Sequence, residues 1–263
     1  MSIIEAIILG IVQGLTEFLP VSSSGHLEIG TAYFNIHTSE NLLFSVIVHS
    51  ATALSTLIVF RKDIFGLLKD GLKFTYNDST KYLLMLAVSM IPVGIIGVLF
   101  ESEIEAFFGG KIPFVASMLM ITSVFLTISH FAGETKGELN FFKAFVIGLA
   151  QAFALLPGIS RSGATISTAL ILGVSREKAA RFSFLMVLVP IMGASFLKFK
   201  DYLEAPVSTE QIPLIVLLSG FLAALISGIV ACKWMIKLVK QGKMLYFAAY
   251  CFIIATIVMI IYW

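Results

Sequence analysis

Charge is what this sequence has least of. Of its 263 residues only 13% are Asp, Glu, Lys or Arg, against roughly 25% in an ordinary soluble domain. A water-facing surface cannot be built from so little charge, so a soluble enzyme and a disordered chain are both excluded. The net charge of +2 is too small to argue for a nucleic-acid partner. Cysteine is scarce too. Cys232 and Cys251 each sit in an apolar run and read as small core residues, not as a disulfide or a metal pair. The opening stretch, MSIIEAIILGIVQG, lacks a basic leader and a small-residue cleavage site. It reads as part of the fold and not as a signal peptide. What remains is apolar: 58% hydrophobic residues and a mean hydropathy of +0.98. This is the composition of an integral membrane protein.

Six stretches have the length of membrane spans: 42–60, 81–100, 112–131, 182–198, 212–232 and 244–262. Each approaches the ~20 residues that cross ~30 Å of hydrocarbon. Between them, 61–81 is basic and partly amphipathic, as expected of an interfacial helix, and Glu101, Glu103 and Glu105 mark an acidic loop. Two further apolar stretches, 3–19 and 141–156, each run into a polar knot and resume at 27–36 and 164–174. They are either full spans or helix–loop–helix hairpins that dip in and return. Eight spans divide the Lys and Arg evenly between the two sides. Six spans and two re-entrant hairpins place every Lys and Arg except Lys111, Lys198 and Lys200 on one side. The positive-inside rule selects the second arrangement, with the basic side cytoplasmic and both termini outside.

An internal repeat points the same way. A shift of 138 residues lays Gly10 on Gly148, Gln13 on Gln151, Ser22 on Ser160, Ser24 on Ser162, Gly25 on Gly163 and Phe44-Ser45 on Phe182-Ser183. Each half, about 1–131 and 139–263, then holds one hairpin and three spans. An odd number of spans forces the halves into opposite orientations, the inverted-repeat plan with a shared site near the midplane. The expected fold is therefore an all-α integral membrane protein of six transmembrane helices plus two re-entrant helix-loop-helix hairpins. Irregular backbone at membrane depth must be buried in protein or line a wet cavity, so the two knots should meet inside the bundle.

The knots carry the chemistry. Gln13 and Glu17 share one helix face, and a Glu at membrane depth costs about 2.5–3.5 kcal/mol unless it has a purpose. Ser22, Ser23, Ser24, Gly25 and His26 follow: three hydroxyls, a pliable backbone and an imidazole, aimed by a helix N-terminus whose N–H groups favour an anion. The second knot supplies a cation. Arg161 lies between Ser160 and Ser162, and its planar fork suits a phosphate or a carboxylate. Thr165 adds a hydroxyl, and Gly158 and Gly163 allow close backbone approach. If the knots meet, the guest is a phosphate or pyrophosphate. Other polar residues within the apolar stretches carry less. His49 reads as a hydrogen-bonded core residue, Glu28 as a residue at the cavity mouth, His37 and His130 as interfacial, and Pro92 and Pro190 as kinks.

At these knots the sequence resembles the undecaprenyl pyrophosphate phosphatase family, also called the bacitracin-resistance family. Its (Glu/Gln)-x-x-x-Glu motif and Pro-Val-Ser-Ser-x-Gly-His run read here Gln13-Gly-Leu-Thr-Glu17-Phe-Leu-Pro-Val-Ser-Ser-Ser-Gly-His26, and its Pro-Gly-x-Ser-Arg-Ser-x-x-Thr motif reads Pro157-Gly-Ile-Ser-Arg-Ser-Gly-Ala-Thr165. The resemblance covers the whole chain. It implies a bacterial cytoplasmic-membrane hydrolase that removes the terminal phosphate from the C55 polyprenyl pyrophosphate carrier of peptidoglycan synthesis, at a site open to the outer face. It also implies a divalent cation, Mg2+ or Ca2+. Gln13 leaves one carboxylate fewer than the Glu variant of the motif, so Glu17 would be the metal's carboxylate.

The mechanism expected on this reading has Ser23 or a water attack phosphorus, with His26 as general base and then acid. Glu17 orients His26 or helps to bind a cation. Arg161, with Gln13, Ser22, Ser24, Gly25, Gly158, Ser160, Ser162, Gly163 and Thr165, holds the phosphates. The rivals are a polyprenyl-phosphate transporter or flippase on the same repeat, and a sensor that only binds the lipid. The partners are the lipid and the bilayer. The sequence leaves the oligomeric state open, a homodimer included.

Overall fold

The computed structural model describes residues 1–36, 38–73, 75–133, 136–204 and 212–262, apart from the side chains of 38–42, 194, 197–199 and 201–204. Among the described residues the secondary structure is helical, with a single isolated bridge between Gly137 and Val174. The helices are α1 (Ile3–Phe18), α2 (Ser23–Tyr33), α3 (Thr38–Val59), α4 (Arg61–Gly71), α5 (Asp78–Leu99), α6 (Glu101–Glu105), α7 (Ile112–Phe131), α8 (Phe141–Phe153), α9 (Arg161–Ile171), α10 (Arg176–Met186), α11 (Leu188–Glu204), α12 (Leu214–Lys240) and α13 (Met244–Tyr262).

Four of these, α5, α7, α12 and α13, are each long and apolar enough to cross a membrane, and α3 with α4 forms a fifth such element bent by 73°. Their outer faces are bare. On α12, Leu214, Leu218, Leu222, Ile226 and Val230 form an exposed ladder, as do Ile91, Ile95 and Val98 on α5. Apolar exposure on this scale belongs against lipid. His37, expected at the interface, lies outside the described residues.

The structure corrects several sequence expectations. The span 182–198 is two helices, α10 and α11, broken at Val187. Pro190 has no N–H to return to the carbonyl of Met186, and its ring crowds that carbonyl. Pro92, by contrast, sits inside α5 without ending it. The stretch 212–232 extends to Lys240, where Gly242 at φ +68° closes the helix. Three lysines, 233, 237 and 240, thus sit on its terminal turns. The acidic loop is the short helix α6. Glu28 is buried, and its carboxylate accepts from the backbone N–H groups of Gly109 and Gly110, both at 3.1 Å.

Small residues bring the helices close enough to order the site. α1 packs on α12 and α8 packs on α5. A Cβ on Gly10 would come within 2.4 Å of the Gly220 carbonyl oxygen, and one on Gly14 within 2.0 Å of Ser227 Oγ. A Cβ on Gly148 would reach within 2.3 Å of the Ser89 carbonyl oxygen. Without a hydrophobic drive between helices in lipid, backbone approach of this kind supplies the packing. α7 lies along α13 and α3 along α11. Phe44 and Phe182 are both fully buried.

Candidate functional site

Local sequence sets both knots. α1 opens with a capping box, Ser2 and Glu5, and ends at Phe18 because Leu19, preceding Pro20, is held extended. α2 then begins at Ser23, capped by Ser22, whose Oγ accepts from Gly25 N at 3.2 Å. α8 stops at Phe153 and α9 begins at Arg161, capped by Ser160, whose Oγ accepts from Gly163 N at 3.0 Å. The knots are therefore not loose loops. Ser23 and Arg161 are each the first residue of a helix, with the N-terminal dipole behind them.

The two knots touch. Ser162 Oγ donates to the Leu19 carbonyl at 3.2 Å. A Cβ on Gly25 would lie 3.0 Å from Gly158 Cα, so backbone meets backbone there. Gly158 itself stands at φ +99° with the Val115 carbonyl oxygen beside it. Thr122 of α7 braces the second knot. Its hydroxyl donates to the Gly158 carbonyl at 3.1 Å and accepts from Ser160 N at 3.0 Å.

Glu17 is the centre. Oε1 accepts from Arg161 Nη2 at 2.7 Å, bridging the knots. Oε2 accepts from Ser23 Oγ at 2.6 Å and from Gln13 Nε2 at 2.8 Å. His49 Nε2 stands 3.8 Å from the same oxygen, and its Nδ1 is 2.8 Å from the Ser45 carbonyl. A buried ion pair repays desolvation only when further hydrogen bonds complete it, and Ser23 and Gln13 do so here. The Glu17 side chain is 7% exposed and Arg161's 23%, so the guanidinium is the part of the pair that a ligand reaches.

Not every expected contact is present. Glu17 does not orient His26, because its oxygens are taken by Arg161, Ser23 and Gln13. His26 is turned away: Nδ1 lies 2.8 Å from the Ser22 carbonyl and Nε2 2.9 Å from Tyr250 Oη. Thr165 does not face a ligand. Its hydroxyl donates to the Arg161 carbonyl at 2.8 Å and pairs with Ser183 Oγ at 2.5 Å, and the residue is buried. Gln13 is fully buried and supports Glu17 from behind, and Ser22 and Ser160 spend their hydroxyls on capping. Ser24, His26 and Arg161 are only half-buried. His49, Thr122 and Tyr250 are the residues that sequence reasoning undervalued or missed. For His49, a histidine in an apolar span, the cost of a polar group at that depth was the available signal.

The donor set does not fit a resident divalent cation. Mg2+ and Ca2+ require several oxygen ligands. Among the described residues no three His, Cys, Asp or Glu side chains cluster. Among the described residues Glu17 is the one carboxylate between the knots, and its Oε1 is already paired with the Arg161 guanidinium.

Residues 6–257 match the family described as bacitracin resistance protein BacA. The chain belongs to the BacA family. Relatives carrying the name undecaprenyl-diphosphatase align end to end. One from Christiangramia forsetii is 51% identical over 97% of this chain and 96% of its own. One from Bacteroides fragilis (strain ATCC 25285) is 48% identical over 98% and 97%. One from Methanobrevibacter smithii is 39% identical over 98% and 97%. Both knots, and the Glu17–Arg161 pair that joins them, lie within the region matched to the BacA family.

Proposed function

We propose that this protein is an undecaprenyl-diphosphatase of the bacterial cytoplasmic membrane, hydrolysing C55 pyrophosphate to the monophosphate and inorganic phosphate. The names of its relatives favour this over the transporter reading. The observation that carries it at the level of chemistry is the Glu17 carboxylate held between a cation and a hydroxyl, Arg161 on one oxygen and Ser23 on the other.

Ser23 Oγ attacks the terminal phosphorus while its proton passes to Glu17 Oε2, to which it already donates. The bond from phosphorus to the bridging oxygen breaks, and polyprenyl monophosphate leaves. Water then attacks the phosphoserine and gives a proton to His26. The P–Oγ bond breaks, Glu17 returns its proton to Ser23, His26 gives its proton to the departing phosphate, and inorganic phosphate leaves. Arg161 and the first-turn N–H groups of α2 and α9 meet the charge on the equatorial oxygens. Ser24 and Ser162 supply hydroxyls beside them. Both steps run on the chain's own groups, and a divalent cation would arrive on the pyrophosphate.

The membrane arrangement belongs to the same proposal. It comprises six spans, α1–α2 and α8–α9 as re-entrant hairpins, two inverted repeats of about 1–131 and 139–263, both termini outside, and a site open to the outer face. The exchange of partners supports the repeats: α1 packs on α12 of the other half, as α8 packs on α5. The ion pairs Arg181–Asp63, Lys240–Glu177 and Lys178–Glu138 tie charged residues of the expected cytoplasmic side to one another.

The test is phosphate release from C55 pyrophosphate by detergent-solubilised protein, with and without chelator. Wild type should release phosphate. Arg161→Ala should fall by about 10³-fold or more while remaining extractable and folded. Full turnover in that variant would sink the assignment, and a folded wild type that releases no phosphate would sink the function.

A further inference from the structure

α13 reads from its sequence as a plain apolar span, yet one turn of it faces the first knot. Ser123 of α7 donates to the Ala248 carbonyl at 2.8 Å, and Cys251 Sγ approaches the Pro20 carbonyl at 3.8 Å. Between them Tyr250 reaches His26. Its hydroxyl lies 2.9 Å from Nε2, and the two rings stack with centroids 5.6 Å apart and planes within 10°.

The hydrogen bonds fix the roles. The Ser22 carbonyl can only accept, so Nδ1 carries the proton. Nε2 is then the lone-pair nitrogen, and the Tyr250 hydroxyl donates to it. The ring is held at both nitrogens, which determines its plane, and the Ser22 carbonyl determines its tautomer. Tyr250 is 40% exposed, and its oxygen keeps lone pairs for a water. A water that donates to that oxygen can pass its proton to Oη as the Tyr250 proton moves to Nε2, so the proton released in the second step above reaches His26 through the hydroxyl.

We infer that Tyr250 is a positioning residue for His26, holding the ring at Nε2 and joining that nitrogen to the hydrolytic water through its hydroxyl. This rests on the phosphatase reading of the site. A structural tyrosine would stabilise α13 and leave the chemistry alone. A positioning one acts on turnover, and only through His26.

The test is a double-mutant cycle on phosphate release, using Tyr250→Phe, His26→Ala and the pair, with melting followed in detergent. Tyr250→Phe keeps the ring stack and removes the hydroxyl. It should lower kcat about tenfold with KM within about twofold and leave the melting temperature near wild type. His26→Ala should cost about 10²–10⁴-fold, and adding Tyr250→Phe to it should cost nothing more. Wild-type kcat in Tyr250→Phe would overturn the inference. So would a tenfold loss that persists in the His26→Ala background, since Tyr250 would then act independently of His26. An inactive wild type would overturn the phosphatase reading instead, which keeps the two failures distinct.

Discussion

The two helix–loop–helix units, α1–α2 and α8–α9, share a scaffold and differ in their chemistry. In both, a serine at the shifted-equivalent position caps the second helix through the N–H three residues on, and a second serine hydroxyl lies alongside, at 3.4 Å for Ser22 and Ser24 and 3.3 Å for Ser160 and Ser162. In both, the next residue is the first of the helix: Ser23 in one, Arg161 in the other. Around that frame the units diverge. Where the first has Glu17, the second has Leu155, and where α3, which follows the first, has His49, the shifted position after the second is Val187. One unit supplies the carboxylate, the hydroxyl and an imidazole, with His49 of α3 beside them, and the other supplies the cation. Neither is a phosphatase site alone. The capping is kept because it builds an anion-binding helix end, and the charges differ because a like pair would repel.

The sharpest way to break that comparison is at its two matched first residues. Arg161→Ala removes the second unit's contribution, as described above. Ser23→Ala removes the first unit's, and we expect at least about a thousandfold loss of kcat. Acid-quenched wild type should carry phosphoserine at Ser23. Retained turnover in Ser23→Ala, with no phosphoserine in the quenched wild type, would make water the direct nucleophile and reduce Ser23 to a hydrogen-bond partner of Glu17.

The next largest effect concerns how tightly the units meet. Gly158 stands at φ +99° with the Val115 carbonyl oxygen 2.4 Å from where a Cβ would sit, whereas Gly173, at φ +79°, has open space. Gly158→Ala should cost about 3 kcal/mol and displace the second knot. Gly173→Ala should cost only about 1 kcal/mol. Melting in detergent separates the two, and equal shifts would mean that the knots do not depend on close backbone contact.

Much of this was legible in the sequence, and the unread part has a common cause. Apolar runs located α5, α7 and α13 to within a few residues, because lipid imposes a length on them. The price of burying Glu17 and Arg161 in hydrocarbon, 144 positions apart, was enough to expect that they meet. Hydropathy does not register a helix break: Pro190 marked a kink in 182–198, but the apolar run did not show that the helix ends outright at Val187. Nor does it register partners. Thr122 looks like any helical threonine until the Gly158 carbonyl and Ser160 N–H are seen on its hydroxyl, and Tyr250 looks like any interfacial tyrosine. His26 was legible as important but not in its direction, since the group that turns it is 224 residues away.

The smallest predicted effect is the most direct comparison of the halves. Gln13 and Gln151 occupy equivalent places on α1 and α8, and both are buried. Gln13 Nε2 holds Glu17, while both amide atoms of Gln151 lack a hydrogen-bond partner among the described residues. A buried amide without partners costs about 1–3 kcal/mol relative to an apolar side chain of the same shape. Gln151→Leu should therefore leave stability unchanged or raise it slightly, and leave kcat alone. Gln13→Leu should lower kcat about tenfold by freeing Glu17 to leave Ser23, with little change in melting. A loss of stability in Gln151→Leu matching that of a broken buried hydrogen bond would show that the second amide is partnered after all. The halves would then be alike in their supporting residues and differ only in the groups that touch phosphate.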